Sequence, residues 1–546
     1  MRLLVYFKRA AAEWPFVRMR QLLCAWAVLC VGSGIQAQTN AVIAPGRADA
    51  IQSLSATGHD RRIDLHWLPV ATGMERFTVE RAEQPDGPFV AIAANHLANH
   101  YSDFIGSNDR TYSYRVARLF PNGKQSVPSI TVTARSRAMT DAELVTSVQE
   151  ATFRYFWDYA HPGSGLIRER SNYGVTCAAG GTGFGLFALM IGAERRFAPR
   201  SVVAQRVATI LTFLEEKTDR YHGAFPHWIH GATGKTLPFS PDDNGADIVE
   251  TALLMQGVLT VRQYFNQANG VETEIRQRAT RLWEAVEWDW FLKSPGSKML
   301  YWHWSPEFGW KKNIRVAGWN EAMITYLLAI ASPTHPIPAD CYYKGWARSK
   351  SYVHGQQYYG FTQAVGHYPM GGPLFLTQYS FIGFDPRNKR DRFCDYFVNN
   401  RNITLIQRAY AIENPGKHLG YGESLWGLTA SMAPDKYHNS APGPNDNGTI
   451  APTAAISAMP YTPAESLACL KHLYLTHGKR LWGEFGFKDA LNLSRDWYSD
   501  QYLAIDQGPI IAMIENARTG LCWRMFMANP EIAPTLKAIG WESTKQ

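Results

Sequence analysis

The sequence predicts a mainly α-helical protein that carries a small all-β domain near its N-terminus. Residues 49–137 contain about seven short runs in which apolar and polar residues alternate, as in strands with one buried face. From Thr140 onward, apolar residues recur at helical spacing. Strands and helices do not alternate along the chain, and this disfavours a doubly wound sheet or a parallel barrel.

The composition is that of a globular protein with many aromatic residues. The 546 residues include 18 Trp, 26 Tyr and 26 Phe, enough for a large core and more than one domain. Aromatic rings also stack on the C–H faces of sugars, so the surplus suits carbohydrate sites as well as packing. The net charge is +8, and no basic run or phosphate-binding loop accompanies it. We therefore expect no nucleic-acid partner.

The first 37 residues are typical of a secretory signal peptide. Two arginines precede the apolar run Leu22–Val31, and Ala37 is suited to the cleavage position. This segment holds five basic residues and one acidic residue, so its removal would leave a net charge of about +4. Residues 38–48 read as a polar linker. The sequence predicts a periplasmic or secreted protein without stable membrane insertion, because no later apolar run could span a bilayer.

Five cysteines remain after the predicted cleavage. They are far apart, odd in number and without metal-ligand spacing. We expect most of them to be buried thiols, with at most a disulfide or two.

Residues 49–137 are predicted to form a β-sandwich. The alternation is clearest at 63–67 and 112–116, and turn clusters rich in Gly, Pro and Asn separate the runs. Seven runs are the number expected for an immunoglobulin-like sandwich. Trp67 with the later Thr111–Tyr114 resembles a fibronectin type III module. We expect a support packed on the next domain, with carbohydrate binding as the lesser alternative.

Residues 138–546 are predicted to form one helical domain. Thr140 and Glu143 have the spacing of a capping box. About a dozen helices joined by long loops indicate paired helices arranged in a ring, and the lack of a clean repeat argues against a solenoid. The further helical segments are predicted near 182–195, 200–218, 247–265, 271–292, 318–331, 340–357, 390–410, 461–477 and 507–519.

An acidic stretch is the strongest candidate for chemistry. Asp243, Asp247 and Glu250 are spaced at i, i+4 and i+7, which would place all three on one face of a helix. Like charges on one face repel each other, so the arrangement needs a compensating reason. A sugar site, a metal or a solvated rim would each supply one.

Glu321 and Asp506 are two further candidates, each at the start of a predicted helix. A capping acid stabilised by the helix dipole explains either one about as well as a functional role does. Aromatic, Gly and Asn neighbours favour a sugar cleft. Hydrolysis of a glycosidic bond needs one protonated carboxyl group and one that activates water or attacks carbon. Clustered acids help, because like charges raise one another's pKa.

Eight other residues are candidates for walls of the sugar subsites. Each alone is more often a packing aromatic or a hydrogen-bonded structural residue. His303, between two tryptophans, is interpreted as bonded to a backbone carbonyl. The eight are His227, Trp228, Trp310, Trp319, Tyr368, Glu423, Trp426 and Tyr461.

Four long motifs make the interpretation more specific. They are Gly422–Ser431, Asn445–Ala455, Met459–Pro463 and Tyr502–Ile511. Together they resemble the bacterial glucoamylase-like family, glycoside hydrolase family 144, which contains endo-β-1,2-glucanases. The resemblance covers about residues 138–546.

This resemblance implies an (α/α)6 toroid, inverting hydrolysis of β-1,2-glucan, and no metal or other cofactor. It places functional acids at Asp243, Asp247, Glu250, Glu321 and Asp506, and all five positions are acidic here. We expect Glu321 to be the general acid and Asp247 or Glu250 to be the base. Inversion predicts carboxyl groups about 6.5–9.5 Å apart with a water between them.

Three functions stay open at this point. The first is a hydrolase that cuts β-1,2-glucan internally or releases short oligosaccharides. The second is an exo-acting β-glucosidase-type hydrolase or a glucan transferase on the same scaffold. The third is a non-catalytic glycan-binding protein, which the five intact acids disfavour. No pattern in the sequence predicts an oligomeric state.

Overall fold

The computed structural model describes residue 51, residues 53–68 and residues 76–544. The predicted signal peptide and linker lie outside these residues. The first part of the described chain is all-β, with seven strands in two antiparallel sheets ordered β1-β2-β5 and β4-β3-β6-β7. The strands are β1 Ser55–His59, β2 Arg62–His66, β3 Arg76–Ala82, β4 Val90–His96, β5 His100–Asp103, β6 Thr111–Leu119 and β7 Val132–Arg135.

Alternation of side chains along these strands builds a small core between the two sheets. Ile63 and Leu65 of β2 face inward, and Val79 of β3 lies opposite Val116 of β6. Trp67 is fully buried among them. A strand with period-two alternation buries one face only, which explains why the pattern was readable from the sequence.

Twelve α-helices follow in the described residues. The predicted capping box is confirmed: the Thr140 side chain accepts from the Glu143 backbone, and the Glu143 side chain accepts from the Thr140 backbone. The helices are α1 Asp141–Asp158, α2 Ala179–Glu194, α3 Arg200–Glu216, α4 Ile248–Tyr264, α5 Gly270–Glu284, α6 Met323–Ala331, α7 Tyr396–Glu413, α8 Pro452–Ile456, α9 Pro463–Leu481, α10 Ala504–Arg518, α11 Leu521–Met527 and α12 Ile532–Ile539.

The helices divide into an inner and an outer set by burial. Helices α2, α4, α6, α8 and α10 are buried on nearly every side, whereas α3, α5 and α9 each expose one face. Helix α2 packs against α4 and α10, α4 also packs against α6, and α8 packs against α10. Helices α3 and α5 pack outside α2 and α4, and α9 packs on α8. A helix that is apolar on all sides must be covered by other helices, so the composition of each helix determines whether it belongs to the inner or the outer set.

The helix predicted at 340–357 is wrong. The structure has a short π-helical turn at Tyr342–Trp346 and then an antiparallel hairpin of Val353–Tyr358 with Phe361–Val365. Tyr359 and Gly360 at the hairpin tip both have positive φ, 54° and 82°. Two consecutive residues of this kind favour a tight hairpin turn and end any helix.

The five cysteines of the described residues are all free and buried, so no disulfide forms among them. They are Cys177, Cys341, Cys394, Cys469 and Cys522. In the part of the chain that the structure describes, no helix combines the length and apolarity needed to cross a membrane.

The β-sandwich packs directly on the helical domain, as expected. The Arg62 guanidinium is buried between the two and donates to Asp64, to the Tyr474 hydroxyl and to Ser147 Oγ. It also lies 4.4 Å from the ring centroid of Trp482. Every face of this buried cation therefore meets an acceptor or an aromatic ring.

Candidate active site

Asp243, Asp247 and Glu250 come together, but not on one helical face. Helix α4 begins only at Ile248, Asp247 is its N-cap, and Asp243 lies in the preceding loop. Residues Ala246–Asp247 are extended and pair with His303–Trp304. The extended pairing and the Asp cap together prevent the helix from reaching back to Asp243, which corrects the predicted i, i+4, i+7 arrangement.

Asp247 is completely buried and fully hydrogen-bonded. Its Oδ1 accepts from the backbone N–H of Val249 at 3.0 Å and of Glu250 at 2.9 Å. Its Oδ2 is 3.0 Å from Nδ1 of His227. Asp247 thus caps α4 with one oxygen and holds a histidine with the other.

Two histidines lie between the three acids and offset their repulsion. His227 Nε2 is 3.9 Å from Glu250 Oε1, so this ring bridges Glu250 and Asp247. His303 Nδ1 is 3.3 Å from Asp243 Oδ1 and 3.7 Å from Asp247 Oδ2. The interpretation of His303 as bonded to a backbone carbonyl is therefore wrong. It faces the acids because the strand pairing sets it directly opposite Asp247.

The electrostatics of this cluster favour a protonated His227. Burial alone would lower the pKa of His227, but the charges of Glu250, Asp247 and Asp243 outweigh it and raise that pKa to about 9. Burial likewise works to raise the pKa of Asp247, yet His303 and His227 lower it below its ordinary value. At neutral pH the site therefore holds an imidazolium beside an ionised carboxylate.

Glu250 keeps one oxygen without a close donor. Its Oε2 accepts from the backbone N–H of Gly180 at 2.7 Å. A Cβ at Gly180 would lie 2.7 Å from this same oxygen, so the close approach requires glycine. Burial raises the pKa of Glu250, and the Asp247 charge adds to this while His227 opposes it.

Glu321 lies two residues before α6 and does not cap it. The N-cap of α6 is Ala322, and it makes no side-chain capping bond. Glu321 is half-buried, and burial raises its pKa to about 7, with the charges of Asp247 and Glu250 adding to the effect. A carboxyl group of this kind keeps its proton over part of the neutral range.

Asp506 lies in the first turn of α10 and does not act as a cap either. Neither of its oxygens has a hydrogen-bond partner among the described residues, and only 1% of the residue is exposed. Asp489 and Glu169 are the acidic groups that act on it most strongly. Burial, and then the Asp489 charge, raise the pKa of Asp506 well above its ordinary value. Glu169 also acts on Glu250, so the two groups of acids are neighbours.

Three of the eight wall candidates lie close to the acids. His227 belongs to the cluster itself, and its ring stacks on Phe239 with 3.8 Å between centroids. Trp228 meets the same phenylalanine edge-on at 5.0 Å. Burial and the Glu321 charge raise the pKa of Tyr368, which places its hydroxyl within electrostatic reach of Glu321.

Three of the other five candidates lie in the core, and the remaining two make other local contacts. Trp319, Trp426 and Tyr461 are at most 2% exposed, so their rings are not walls of an open cleft. Trp319 stacks on a tyrosine, and the Tyr461 hydroxyl donates to a backbone carbonyl. Trp310 packs edge-on against two aromatic rings, and Glu423 is exposed with its carbonyl accepting from an arginine.

Sequence reasoning missed several residues of the site. Glu169 and Arg170 form a bidentate ion pair of 2.6 and 2.8 Å beside the second group of acids. Asp489 contacts Asp506, and Tyr379 interacts with both Asp506 and Glu321. These residues come from separate loops, so no spacing rule links them. In the described residues, no group of three His, Cys, Asp or Glu side chains is placed to hold a metal ion.

The chain is similar to known proteins over most of its length. The sequence profile of a family described as putative glucoamylase matches residues 313–530. A Parabacteroides distasonis protein, exo β-1,2-glucooligosaccharide sophorohydrolase (non-reducing end), is 42% identical over 507 residues. That match covers 89% of this chain and 70% of the relative.

Two solved structures share the fold. A β-1,2-glucanase from Parabacteroides distasonis superposes with a TM-score of 0.86 at 41% identity, over 90% of this chain and 73% of that one. An endo-β-1,2-glucanase from Chitinophaga pinensis, in complex with sophorotriose and glucose, superposes with a TM-score of 0.72 at 46% identity. It covers 74% of this chain and 99% of its own. Residues 138–546 make up only about three quarters of the chain. The Parabacteroides structure matches 90% of the chain, so this match also includes part of the N-terminal region.

Proposed function

Because the chain belongs to the bacterial glucoamylase-like family, we propose that it is a glycoside hydrolase that cleaves β-1,2-glucans. The observation that carries the proposal is a difference in protonation within one group of acids. Glu321 has a pKa of about 7, whereas the pKa of Asp247 beside it is lowered. A group of acids that keeps one carboxyl group protonated and another ionised provides the two protonation states that acid–base cleavage of a glycosidic bond requires.

Glu321 is the general acid in this proposal. Its proton passes to the glycosidic oxygen as the bond between that oxygen and the anomeric carbon breaks. Burial supports the role, because a desolvated carboxyl group holds its proton near neutral pH and still releases it to a better acceptor.

Glu250 is a better candidate for the base than Asp247. All the hydrogen bonds of Asp247 are committed to the α4 backbone and to His227, and it has no exposed surface. Glu250 keeps Oε1 3.9 Å from His227 Nε2, and its raised pKa strengthens it as a proton acceptor. A water attacks the anomeric carbon and gives its proton to Glu250, so the product has inverted configuration.

The comparisons favour release of sophorose from the non-reducing end. The match to the exo-acting Parabacteroides protein extends into the N-terminal part of the chain, whereas the match to the endo-acting Chitinophaga enzyme is the size of the helical domain alone. Endo action is the second candidate, because identity to the Chitinophaga enzyme is 46%.

Product analysis tests both the substrate and the mode of cleavage. Linear β-1,2-, β-1,3-, β-1,4- and β-1,6-glucans labelled at the reducing end are incubated with the protein. We expect sophorose from the β-1,2-glucan at the earliest times, with the label retained on long chains. Labelled products of many sizes would indicate endo action. Cleavage of another linkage alone would contradict the substrate, and binding without turnover would indicate a glycan-binding protein.

The finer architecture and location belong to the same proposal. The buried helices α2, α4, α6, α8 and α10 surrounded by outer helices support an (α/α)6 toroid, and the seven strands support a fibronectin type III-like module. The signal-like segment before Gln38 supports export to the periplasm or beyond. Cell fractionation with N-terminal sequencing tests this, because an uncleaved cytoplasmic protein would contradict it.

A further inference from the structure

Two buried carboxyl groups meet at the start of α10. Asp489 and Asp506 are 2% and 1% exposed, and their side chains are in hydrogen-bond contact. Asp489 Oδ2 accepts from the backbone N–H of Met432 at 2.6 Å. Apart from this mutual contact, the remaining Asp489 oxygen and both Asp506 oxygens receive no hydrogen bond from the described residues. Buried acceptors are almost always satisfied in folded proteins, so these oxygens need an explanation.

The groups around the pair do not neutralise it. Glu169 adds another carboxylate, and the Arg170 guanidinium beside it is bound by Glu169 through two hydrogen bonds. The hydroxyl groups of Tyr379 and Tyr437 approach from two other segments. Two ionised carboxylates in contact would therefore repel each other in a low-dielectric environment.

Two carboxyl groups can form a hydrogen bond only if one of them carries a proton. We propose that Asp489 is a positioning residue of the active site: it shares one proton with one oxygen of Asp506 and thereby holds the other Asp506 oxygen in place for a hydroxyl group of the bound glucan. The proton-sharing part stands on the geometry of the pair. The contact with a glucan hydroxyl rests on the proposed function.

The acid–base properties of the pair agree with its geometry. Burial raises the pKa of Asp489 to about 6, and burial together with Asp489 raises the pKa of Asp506 well above its ordinary value. Since the folded protein holds a proton that the unfolded chain releases, the pair stabilises the fold at low pH. That contribution is lost as the pH rises through the raised pKa values.

Thermal unfolding tests proton sharing without any substrate. The melting temperature of the wild type and of Asp489→Asn is measured from pH 5 to pH 9. Asn donates the hydrogen bond permanently, so we expect the variant to lose part of the wild-type decline with rising pH. Asp435→Asn, which removes a surface carboxylate whose side chain is 77% exposed, is the control and should parallel the wild type. Equal slopes for wild type and Asp489→Asn would overturn the proposal. Asp506→Asn probes the pair from its other member if Asp489→Asn does not fold.

Oligosaccharide binding tests the positioning role. In a Glu321→Gln background, hydrolysis and the titration of Glu321 are both removed. Calorimetric titration with a five-residue β-1,2-glucooligosaccharide should show about tenfold weaker binding at pH 8.5 than at pH 5.5. Adding Asp489→Asn should reduce this difference to less than about threefold. An unchanged pH dependence would refute the positioning role. Absence of binding at every pH would instead refute the proposed function, while the unfolding experiment still tests the shared proton.

Discussion

The two ends of helix α10 carry buried carboxylates with opposite surroundings. Glu515 in the last turn is 0% exposed and accepts from Arg195 at 2.8 and 2.9 Å, from Gln149 at 3.1 Å and from Thr519 at 2.7 Å. Burial opposes ionisation of Glu515, but these donors lower its pKa. Asp506 in the first turn is in contact with another carboxyl group, receives no hydrogen bond from an N–H or hydroxyl group of the described residues, and has a raised pKa. Both lie in the same helix, so the difference arises from their neighbours.

At the interface between the β-sandwich and the helical domain, Arg62 resembles Glu515: it is a buried charge with several hydrogen-bonding partners. Arg62 is as deeply buried as Asp506, yet it has three hydrogen-bonding partners and an aromatic ring. Burial of a charge therefore does not distinguish a functional residue from a structural one. At Asp506 the missing hydrogen-bond partners make the difference, because two unsatisfied oxygens on one buried carboxylate need a proton or a ligand to complete them.

Replacing the proposed acid should give the largest effect on activity. Glu321→Gln removes the proton donor and should lower kcat about 10³-fold, equivalent to about 4 kcal/mol. The melting temperature should stay the same or rise, because a carboxyl group with a raised pKa gives way to a neutral amide. Reducing-sugar release and circular dichroism measure the two quantities. A decrease in kcat of less than tenfold would exclude Glu321 as the acid.

Replacing each of the two buried carboxylates of α10 by its amide should separate effects on stability from effects on activity. Glu515→Gln leaves Arg195 without its ion pair and should lower the free energy of unfolding by about 3 kcal/mol, with activity per folded molecule retained. Asp506→Asn should lower kcat/KM about 10²-fold and leave the free energy of unfolding unchanged or higher. Urea unfolding and initial rates are measured on both variants. The reverse pattern would show that unpartnered oxygens carry no functional information here.

The sequence predicted the elements whose periodicity is set locally. The alternating strands of the β-sandwich and the Thr140–Glu143 capping box follow from nearest-neighbour chemistry, and both are present. The helix expected at 340–357 failed because the hairpin there depends on positive φ at Tyr359 and Gly360. A hairpin of this kind is fixed by its turn, and the apolar spacing around it fits a helix equally well.

The acids of the site were predictable because each has a local signal. Asp247 came from the spacing of an acidic stretch, and Glu321 and Asp506 from their places at the start of predicted helices. The family resemblance implied a function for all three, and the structure brings their neighbourhoods together. His303 reaches the acids through a two-residue strand pairing with Ala246–Asp247, and Asp489 through contact with α10. Such contacts join distant parts of the chain, and they cannot be predicted from hydrophobic periodicity, which reports only local structure.

Removing the bridging histidine should have a smaller effect than removing an acid. His227→Gln keeps a hydrogen-bond donor for Asp247 but removes a positive charge, and we expect activity to fall about tenfold. Without the imidazolium the pKa values of Glu250, the proposed base, and of Asp247 should both rise, so the acidic limb of the pH–rate profile should move to higher pH. Profiles of wild type and variant measured from pH 4 to pH 8 test this. An unshifted limb would mean that His227 does not control the ionisation of the acids.

The smallest expected effect is the loss of activity between pH 6 and pH 7. The pKa of Glu321 is raised to about 7, so the donor is mostly protonated at pH 6 and about half protonated at pH 7. The rate should therefore fall only about twofold from pH 6 to pH 7, about fivefold from pH 7 to pH 8, and about tenfold from pH 8 to pH 9. Because the folded pKa lies above the ordinary value of 4.5, the same proton stabilises the fold at low pH and is lost as pH rises through about 7. Initial rates from pH 5 to pH 9 with matched ionic strength measure the limb. A rate that stays constant to pH 9 would mean that Glu321 is not the proton donor. A raised pKa would then not identify a catalytic carboxyl group in this protein.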